Sequence, residues 1–324
     1  MDFELSDDQE ALRDGVISLL DGRFDSTTVR SMSGQPGAID RTRWTELAET
    51  GVFSLALPED EGGLGLGWAD TAIVYEQLGR FVVPGPLVAC ALAAGLVDGV
   101  AEGSTIVGLI EDRADADSQI VIEHAAGLDA VLVLRPEGVD QIALDSLDLD
   151  YPDIPLDALT PVGVCRSLPA GTRIAQGDSA ARMTTIGSVL TAALQLGLAA
   201  GATELAVAYA SEREQFGKVI GKFQAVKHLC ADMISRVEVA RAAVYFAAVA
   251  LDDPTVGDAA HAASVARIVA GDAASANGRD CIQVHGGMGY TSEVDAHLFL
   301  KRAWVHETQF GSLEHHEESI AASM

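Results

Sequence analysis

The feature that most constrains the fold is the long series of apolar residues at helical spacing in the second half of the sequence. Residues 183–212 place one apolar stripe at Val189, Ala193, Leu196, Ala200, Val207 and Ala210. Residues 222–251 repeat the pattern at Val226, Cys230, Met233, Val237 and Val244. Two more helices are predicted from about Asp258 to Cys281 and from about Val294 to Phe310. Four long helices with short connections predict an antiparallel bundle.

The first hundred residues also have helical patterns. Ser6 and Gln9 form a capping-box pattern ahead of the first helix. Residues 25–40 are polar with two glycines and a proline, which predicts a mobile loop. Asp40 is predicted to cap a short helix that buries Trp44 and Leu47. Two further helices are expected, around residues 73–78 and from Leu87 to Val97.

The middle of the chain has short apolar runs instead of helical patterns. Residues 105–110 and 130–134 are short apolar runs, and a turn at residues 135–138 leads into residues 139–144. These runs predict buried strands in a β region that ends near residue 178. The predicted fold is therefore α+β and mostly α, with domains at residues 1–99, 100–180 and 181–324.

Charge and cysteine content restrict the classes of function. The net charge is −27, and such an acidic surface repels nucleic-acid phosphates and anionic membrane lipids. The N-terminus has no signal-peptide pattern, and four separated cysteines without a CxxC spacing indicate free thiols in the cytoplasm. No metal site is predicted: His315-His316 is interpreted as part of a solvated tail, and residues 112–117 as a solvated acidic loop.

A first motif follows the predicted helix at residues 183–212. It reads Arg213-Glu214-Gln215-Phe216-Gly217, with Gln224 shortly after. A guanidinium in such a turn can hold a diphosphate with two hydrogen bonds, and Phe216 offers a flat apolar face. A surface ion pair and a core phenylalanine are the simpler interpretation of this motif taken alone.

A second motif, Gln283-Val284-His285-Gly286-Gly287-Met288-Gly289-Tyr290, follows the third helix. Three glycines in four positions break a helix and allow another backbone to approach closely. They do not match a dinucleotide-binding fingerprint, because a helix and not a strand precedes them. His285 is interpreted as a packed turn residue. Alone, the motif fits an ordinary turn between helices.

Together the two motifs resemble the acyl-CoA dehydrogenase family, whose signature combines R-x-x-F-G and a later Gln with Q-x-x-G-G-x-G-[FY]. The N-terminal half agrees at Trp44, at Leu57-Pro58-Glu59 with the glycines after it, and at Glu76-Gln77-Leu78-Gly79-Arg80. The resemblance implies a helical N-terminal domain, a reduced middle β domain, a C-terminal four-helix bundle and a tetrameric assembly.

The same resemblance implies FAD as the cofactor and an acyl-CoA thioester as the substrate. In this family the C-terminal motifs reach the FAD of a neighbouring subunit. Arg213, Phe216 and Gln224 match the positions that contact the diphosphate and adenine end. Gln283 and Gly287 match a second contact.

The sequence departs from the family where the reaction needs a carboxylate base. Most members carry a Glu after the last helix, and Phe310 stands at that position, followed by the matching Gly311 and Ser312. Other members place the base on an earlier helix, where this chain has Gly187. Neither phenylalanine nor glycine can take up a proton, so no catalytic residue is assigned. Glu307 and Glu314 lie nearby and are interpreted as solvated acids.

The middle domain also lacks two family features. No Thr-Glu-Pro-x-Ala-Gly-Ser-Asp-like loop and no Trp-containing strand occur between residues 100 and 180. The chain thus resembles the shortened subunit of bacterial α2β2 acyl-CoA dehydrogenases, some of which act on steroid-type CoA thioesters. This resemblance implies a full-length partner subunit with the catalytic Glu, and an electron-transfer flavoprotein or similar acceptor. A self-sufficient enzyme with an unrecognised base and a non-enzymatic scaffold are the alternatives.

Overall fold

The computed structural model describes residues 4–112 and 119–323. Contacts divide the chain into two compact units. The bundle unit comprises residues 4–26, Ala72–Val83 and residues 188–323, and the mixed unit comprises Thr27–Thr71 and Pro84–Gly187. The predicted domain boundaries near residues 99 and 180 stay a prediction.

Ten α-helices occur in the described residues. They are α1 (Asp7–Arg23), α2 (Ser26–Met32), α3 (Arg41–Ala48), α4 (Trp68–Arg80), α5 (Leu87–Ala93), α6 (Ser179–Glu212), α7 (Gln224–Asp252), α8 (Ala259–His285), α9 (Ala296–His306) and α10 (Leu313–Ser323). The four predicted bundle helices correspond to α6, α7, α8 and α9. The predicted capping box is present, because the side chains of Ser6 and Gln9 each accept a hydrogen bond from the backbone N–H of the other residue.

Small residues allow the helices of the bundle unit to pack closely. A Cβ on Gly197 of α6 would lie only 1.9 Å from the carbonyl oxygen of Glu76 in α4. A Cβ on Gly79 of α4 would lie 2.1 Å from the carbonyl oxygen of Leu194. Glycine is therefore required at both positions for these two backbones to touch. In α6 an 18-residue stretch is apolar enough to cross a membrane by composition, and 94% of that stretch is buried within the chain.

The mixed unit contains the longer strands of the described residues. Its strands are β1 (Val107–Glu111), β2 (Ile120–Glu123), β3 (Ala130–Arg135), β4 (Gly138–Ala143), β5 (Val162–Cys165) and β6 (Thr172–Gln176). One sheet has the order β1-β3-β4-β6, with β1 and β3 parallel and the other pairs antiparallel. The strands β2 and β5 form a separate antiparallel pair. The predicted α+β, mostly α fold is confirmed.

Three local predictions were wrong. Residues 25–40 were expected to be a loop, but they contain α2 and a short 3₁₀ helix at Pro36–Ala38. The side chains of Val29 and Met32 in α2 are buried. Val207 was placed on the inward stripe of α6, but its side chain is 42% exposed. His316 was placed in a solvated tail, but it is buried in α10 with its Nδ1 3.3 Å from Ser264 Oγ of α8.

The acidic loop expected at residues 112–117 falls mainly outside the described residues, because residues 113–118 are not described. Asp112 is described, and Arg135 donates a hydrogen bond to it. Trp44, in contrast, lies where the sequence predicted. It is buried in the mixed unit and stacks on Phe53 with the ring centroids 4.7 Å apart.

Candidate functional site

The first motif forms a tight hairpin at the end of α6. The strands β7 (Glu214–Gln215) and β8 (Lys218–Val219) pair, and Phe216 and Gly217 make the turn with φ values of 54° and 78°. A positive φ is unfavourable for Phe216, whose side chain is nevertheless 91% exposed. The hairpin thus holds an aromatic ring outward at a conformational cost.

Exposed polar residues precede and follow Phe216 along the chain. The Arg213 side chain is exposed at the start of the hairpin, and Gln224 is exposed at the first position of α7. The ring of Phe223 meets Phe216 edge-on at 6.1 Å, and the Lys218 ammonium lies 4.3 Å from the Phe223 ring centroid. Because α7 has 29 residues, its N-terminus adds a partial positive charge that favours an anion.

The second motif begins in the last turn of α8. Gln283 is exposed, and a 3₁₀ turn at Gly286–Tyr290 follows the helix. A Cβ on Gly286 or Gly287 would meet nothing within 4 Å, so the surface here is open. A Cβ on Gly289 would instead lie 2.6 Å from the Ile282 carbonyl oxygen, so this glycine closes the turn.

His285 connects the two motifs. Its Nδ1 lies 2.8 Å from the Cys281 carbonyl oxygen, so this nitrogen carries the proton and donates. Its ring stacks on Tyr209 of α6, with the centroids 4.2 Å apart. The backbone N–H of Arg213 in turn donates to the Tyr209 carbonyl. As the sequence predicted, His285 is a buried turn residue, and its contact holds the C-terminal ends of α6 and α8 together.

All five predicted contact residues, Arg213, Phe216, Gln224, Gln283 and Gly287, are exposed at the ends of α6, α7 and α8. We refer to these five residues, to which the family resemblance assigns contact with a flavin, as the flavin-contact cluster. It combines a guanidinium, two carboxamides, an aromatic face and open glycine backbone. This set suits a diphosphate joined to a heterocycle. Because every member faces outward, the cluster can serve a cofactor that another chain holds.

The position of the family base is filled by a buried apolar side chain. Phe310 is 5% exposed and has φ 51°, and the following Gly311 has φ 108°. The Phe310 carbonyl accepts a hydrogen bond of 3.4 Å from Ser188 Oγ, one residue after Gly187 in α6. No carboxylate therefore occupies either position.

The loop around Phe310 is nevertheless well fixed. The buried Arg267 of α8 donates to the carbonyls of His306 and Gln309 at 2.7 and 2.8 Å. The His306 Nδ1 lies 2.7 Å from Gln309 Oε1. The two bonds from Arg267 satisfy the carbonyls of His306, the last residue of α9, and of Gln309 in the loop after it. The loop keeps a defined geometry without a carboxylate.

The two acids considered as replacement bases are both exposed. Glu307 follows α9 and accepts a hydrogen bond from Ser275 of α8, whereas Glu314 lies in the first turn of α10. A base for this reaction needs a dry pocket that raises the pKa of the carboxyl group. Both acids lie at helix ends and are exposed in this chain, as expected, and the absence of a catalytic role stays a prediction.

Three of the cysteines are buried free thiols, as predicted, and the fourth, Cys230, is half-buried. Burial raises the pKa of Cys281, near the second motif, to about 12, and the nearby Cys230 adds to this effect. The pKa of Cys90 is raised to about 12, also by burial. These thiols stay protonated at neutral pH and are poor nucleophiles.

Models of known families match most of the chain. The model described as acyl-CoA dehydrogenase, N-terminal domain, matches residues 6–102, and the model described as acyl-CoA dehydrogenase, C-terminal domain, matches residues 177–324. The chain belongs to the acyl-CoA dehydrogenase family. The predicted resemblance is confirmed.

Curated relatives within this family differ in length. The acyl-CoA dehydrogenase FadE34 of Mycobacterium tuberculosis is 34% identical over 326 residues, which cover 93% of this chain and 45% of FadE34. The chain thus spans less than half of that relative. The acyl-CoA dehydrogenase IpdE2 of Mycolicibacterium smegmatis is 31% identical over 301 residues, which cover 92% of this chain and 93% of IpdE2.

Solved structures share the acyl-CoA dehydrogenase fold. The Tcur3481-Tcur3483 steroid ACAD G363A variant superposes with a TM-score of 0.83 at 24% identity, over 97% of both chains. The ChsE4-ChsE5 complex from Mycobacterium tuberculosis has a TM-score of 0.83 at 22% identity, over 100% of this chain and 98% of that one. FAD is the cofactor of the family, as predicted, and two structures of PigA, which has the same fold, contain FAD.

Proposed function

We propose that this chain is a subunit of a flavin-dependent acyl-CoA dehydrogenase complex and completes an FAD site that belongs to a full-length partner subunit. The observation that carries the proposal is a contrast within the bundle unit. The flavin-contact cluster is intact and exposed, whereas the base position is filled by the buried Phe310. The chain keeps what a neighbour's flavin needs and lacks its own base.

Each residue of the cluster has a role in this proposal. Arg213 binds the FAD diphosphate, and Phe216 packs its ring on the cofactor. Gln224 donates or accepts a hydrogen bond at the adenine end of the cofactor. Gln283 supplies a second polar contact, and Gly287 lets the cofactor approach the backbone. When bound in the assembled complex, FAD would supply the acceptor for the hydride that leaves the β-carbon of the acyl-CoA. The partner's Glu would take the α-proton, and an electron-transfer flavoprotein or similar acceptor would receive the two electrons from the reduced cofactor.

Two further observations support a partner chain. The middle of α7 leaves the side chains of Ile234 and Val239 exposed by 48% and 60%. An interface between subunits on this part of α7 would cover them. In addition, a match to 45% of FadE34 leaves more than half of that relative for a second module of similar size.

The proposed substrate is a bulky, steroid-type CoA thioester, and the proposed location is the cytoplasm. One similar structure is described as a steroid ACAD, and another as a complex of two proteins, ChsE4 and ChsE5. A complex in which only some subunits hold a base has fewer active sites than chains. The subunits without a base do not need an active site of their own, so the space of those missing active sites can accommodate a large acyl group.

The test is the dehydrogenase activity of this chain alone, of the partner alone and of the co-purified complex. We expect activity on a steroid-type CoA thioester only in the complex, and we expect its loss when the partner's base is changed from Glu to Gln. Dehydrogenation by this chain alone would contradict the proposal. In that case Glu307→Gln and Glu314→Gln would identify the base of a self-sufficient enzyme.

A non-enzymatic scaffold is the remaining alternative. A scaffold would not depend on the flavin-contact cluster, so changes there would leave the cofactor content of a complex unaltered. The presence of all five residues, exposed at one end of three helices, favours the flavin role.

A further inference from the structure

A cavity of about 390 Å³ lies inside the bundle unit, among α1, α4, α6 and α7. No member of the flavin-contact cluster lines it. Three arginines, Arg13, Arg80 and Arg241, and two glutamates, Glu76 and Glu204, supply the charges of its wall. The lining residues alone carry one excess positive charge, but Arg13 and Arg241 also pair with Asp14 and Glu238 outside the lining. A preference for an anion therefore depends on the guanidinium N–H groups that these pairs leave unused.

The floor of the cavity is a closed network of hydrogen bonds. Arg241 donates to Glu76 Oε1 through Nη2 at 2.8 Å, and the Tyr245 hydroxyl donates to Glu76 Oε2 at 2.7 Å. The Glu76 side chain is only 5% exposed. Burial and the adjacent Glu76 raise the pKa of Tyr245, so the hydroxyl stays protonated. Both oxygens of Glu76 are satisfied, and this carboxylate does not need a ligand.

The rim of the cavity, in contrast, has donors left over. Arg80 donates hydrogen bonds through Nε to Glu204 at 2.8 Å and through Nη1 to Gln77 at 3.4 Å. Its Nη2 makes no hydrogen bond in the described residues. Arg13 donates a hydrogen bond through Nε to Asp14 at 2.9 Å. Its Nη2 is 3.9 Å from Glu10, beyond hydrogen-bond range. Arg13 and Arg80 thus present guanidinium N–H groups from α1 and α4 into one cavity.

We propose that this cavity binds a small organic carboxylate, held between the guanidinium groups of Arg13 and Arg80. Two carboxylate oxygens match the fork of N–H donors that a guanidinium presents. The side chains of Leu5 and Ile17 form an apolar wall beside these donors, which suits a short hydrocarbon chain on the ligand. A cavity of this volume falls in the range of small-molecule sites.

Binding at this site would fasten α1 to the rest of the bundle unit. Leu20 is the only buried side chain among the 17 residues of α1, so few contacts hold the helix in place. A ligand that bridges Arg13 of α1 and Arg80 of α4 adds a connection between the two helices. Local opening of a weakly packed helix becomes rarer when a ligand binds only the closed form.

The test is calorimetric titration of the full-length chain with butyrate, with butyramide as the uncharged analogue of the same shape. Arg13→Gln removes the half-buried guanidinium of Arg13, which donates no hydrogen bond to Glu76, Arg241 or Tyr245. Arg23→Gln makes the same charge change in the last turn of the same helix, away from the cavity, and is the matched control. We expect saturable binding of butyrate, no binding of butyramide, and an affinity about tenfold lower in Arg13→Gln only.

Amide hydrogen exchange gives a second readout. Butyrate should slow exchange in α1 of the wild-type chain and of Arg23→Gln, and should have no effect in Arg13→Gln. Absence of saturable butyrate binding, or equal affinity in the two variants, would overturn the proposal. Tighter binding of inorganic phosphate than of butyrate would overturn the assignment to a carboxylate. Neither measurement uses FAD or a partner chain, so the result is independent of the proposed dehydrogenase function.

Discussion

The rings of Tyr209 and His285 stack with their centroids 4.2 Å apart and an angle of 25° between the planes. Tyr209 lies one helical turn before Arg213, and His285 lies within the second motif. One aromatic contact therefore fixes the position of one motif relative to the other. The contact supports the flavin-contact cluster from beneath without belonging to its exposed surface.

Removing the stack should weaken FAD binding by the complex. An aromatic pair contributes about 0.5–1.5 kcal/mol, so Tyr209→Leu should lower the affinity for FAD about two- to tenfold. Tyr209→Phe keeps the ring and should retain the wild-type affinity. The measurement is a titration of the apo-complex followed by flavin fluorescence. Equal affinity in all three proteins would show that the stack has no role in cofactor binding.

Arg213 should be the cluster residue on which FAD binding depends most. Arg213→Ala removes a charge-assisted contact to the diphosphate and should reduce the flavin absorbance of the purified complex at about 450 nm. The expected loss of affinity is about tenfold or more. Arg182→Ala, at the exposed N-terminal end of the same helix, is the control and should leave the absorbance unchanged. An unchanged flavin content in Arg213→Ala would favour the scaffold alternative.

The Glu76–Arg241 pair should be important for stability. Arg241→Leu would leave the almost fully buried Glu76 carboxylate without its cation, which costs about 3–5 kcal/mol for a buried pair. Glu238→Gln removes only an exposed partner of Arg241 and should cost less than about 1 kcal/mol. Urea unfolding of the isolated chain measures both. Similar stabilities of the two variants would show that Glu76 does not rely on Arg241.

Asp140 should contribute to stability in a pH-dependent way. A hydrogen bond from Arg173, with a second from Arg135, lowers the pKa of this carboxyl group below its ordinary value of 3.8. Its contribution is therefore complete above that ordinary value and is lost as the pH falls through the lower, folded-state pKa. Urea midpoints measured from pH 6 to pH 3 should fall less steeply in Asp140→Asn than in the wild type. Parallel curves would contradict this role.

Much of the fold follows from local patterns in the sequence. The apolar stripes of α6 and α7 and the capping box of Ser6 and Gln9 are short-range signals, and each of these predicted elements is present. Residues 26–32 were missed as a helix because they are polar and follow no clear apolar period. The burial of Val29 and Met32 depends on tertiary packing, which overrides weak local preference.

The candidate site could be predicted only in part. The motifs identified the exposed residues, because their glycines and charged groups are visible in the sequence. The supporting contacts between Tyr209 and His285 and between Arg267 and the loop before Phe310 join residues more than 35 positions apart. Ordinary aromatic and basic residues form them, and no local pattern marks such residues as partners. For the same reason the cavity between Arg13 and Arg80 had no signal in the sequence.

The central claim is that this chain completes a flavin site held by another subunit. The most direct measurement is the FAD content per chain of the purified protein alone and of the complex with its full-length partner. We expect no bound FAD in the chain alone and one FAD for each pair of chains in the complex. One FAD per chain in the isolated protein, together with dehydrogenation of an acyl-CoA, would contradict it.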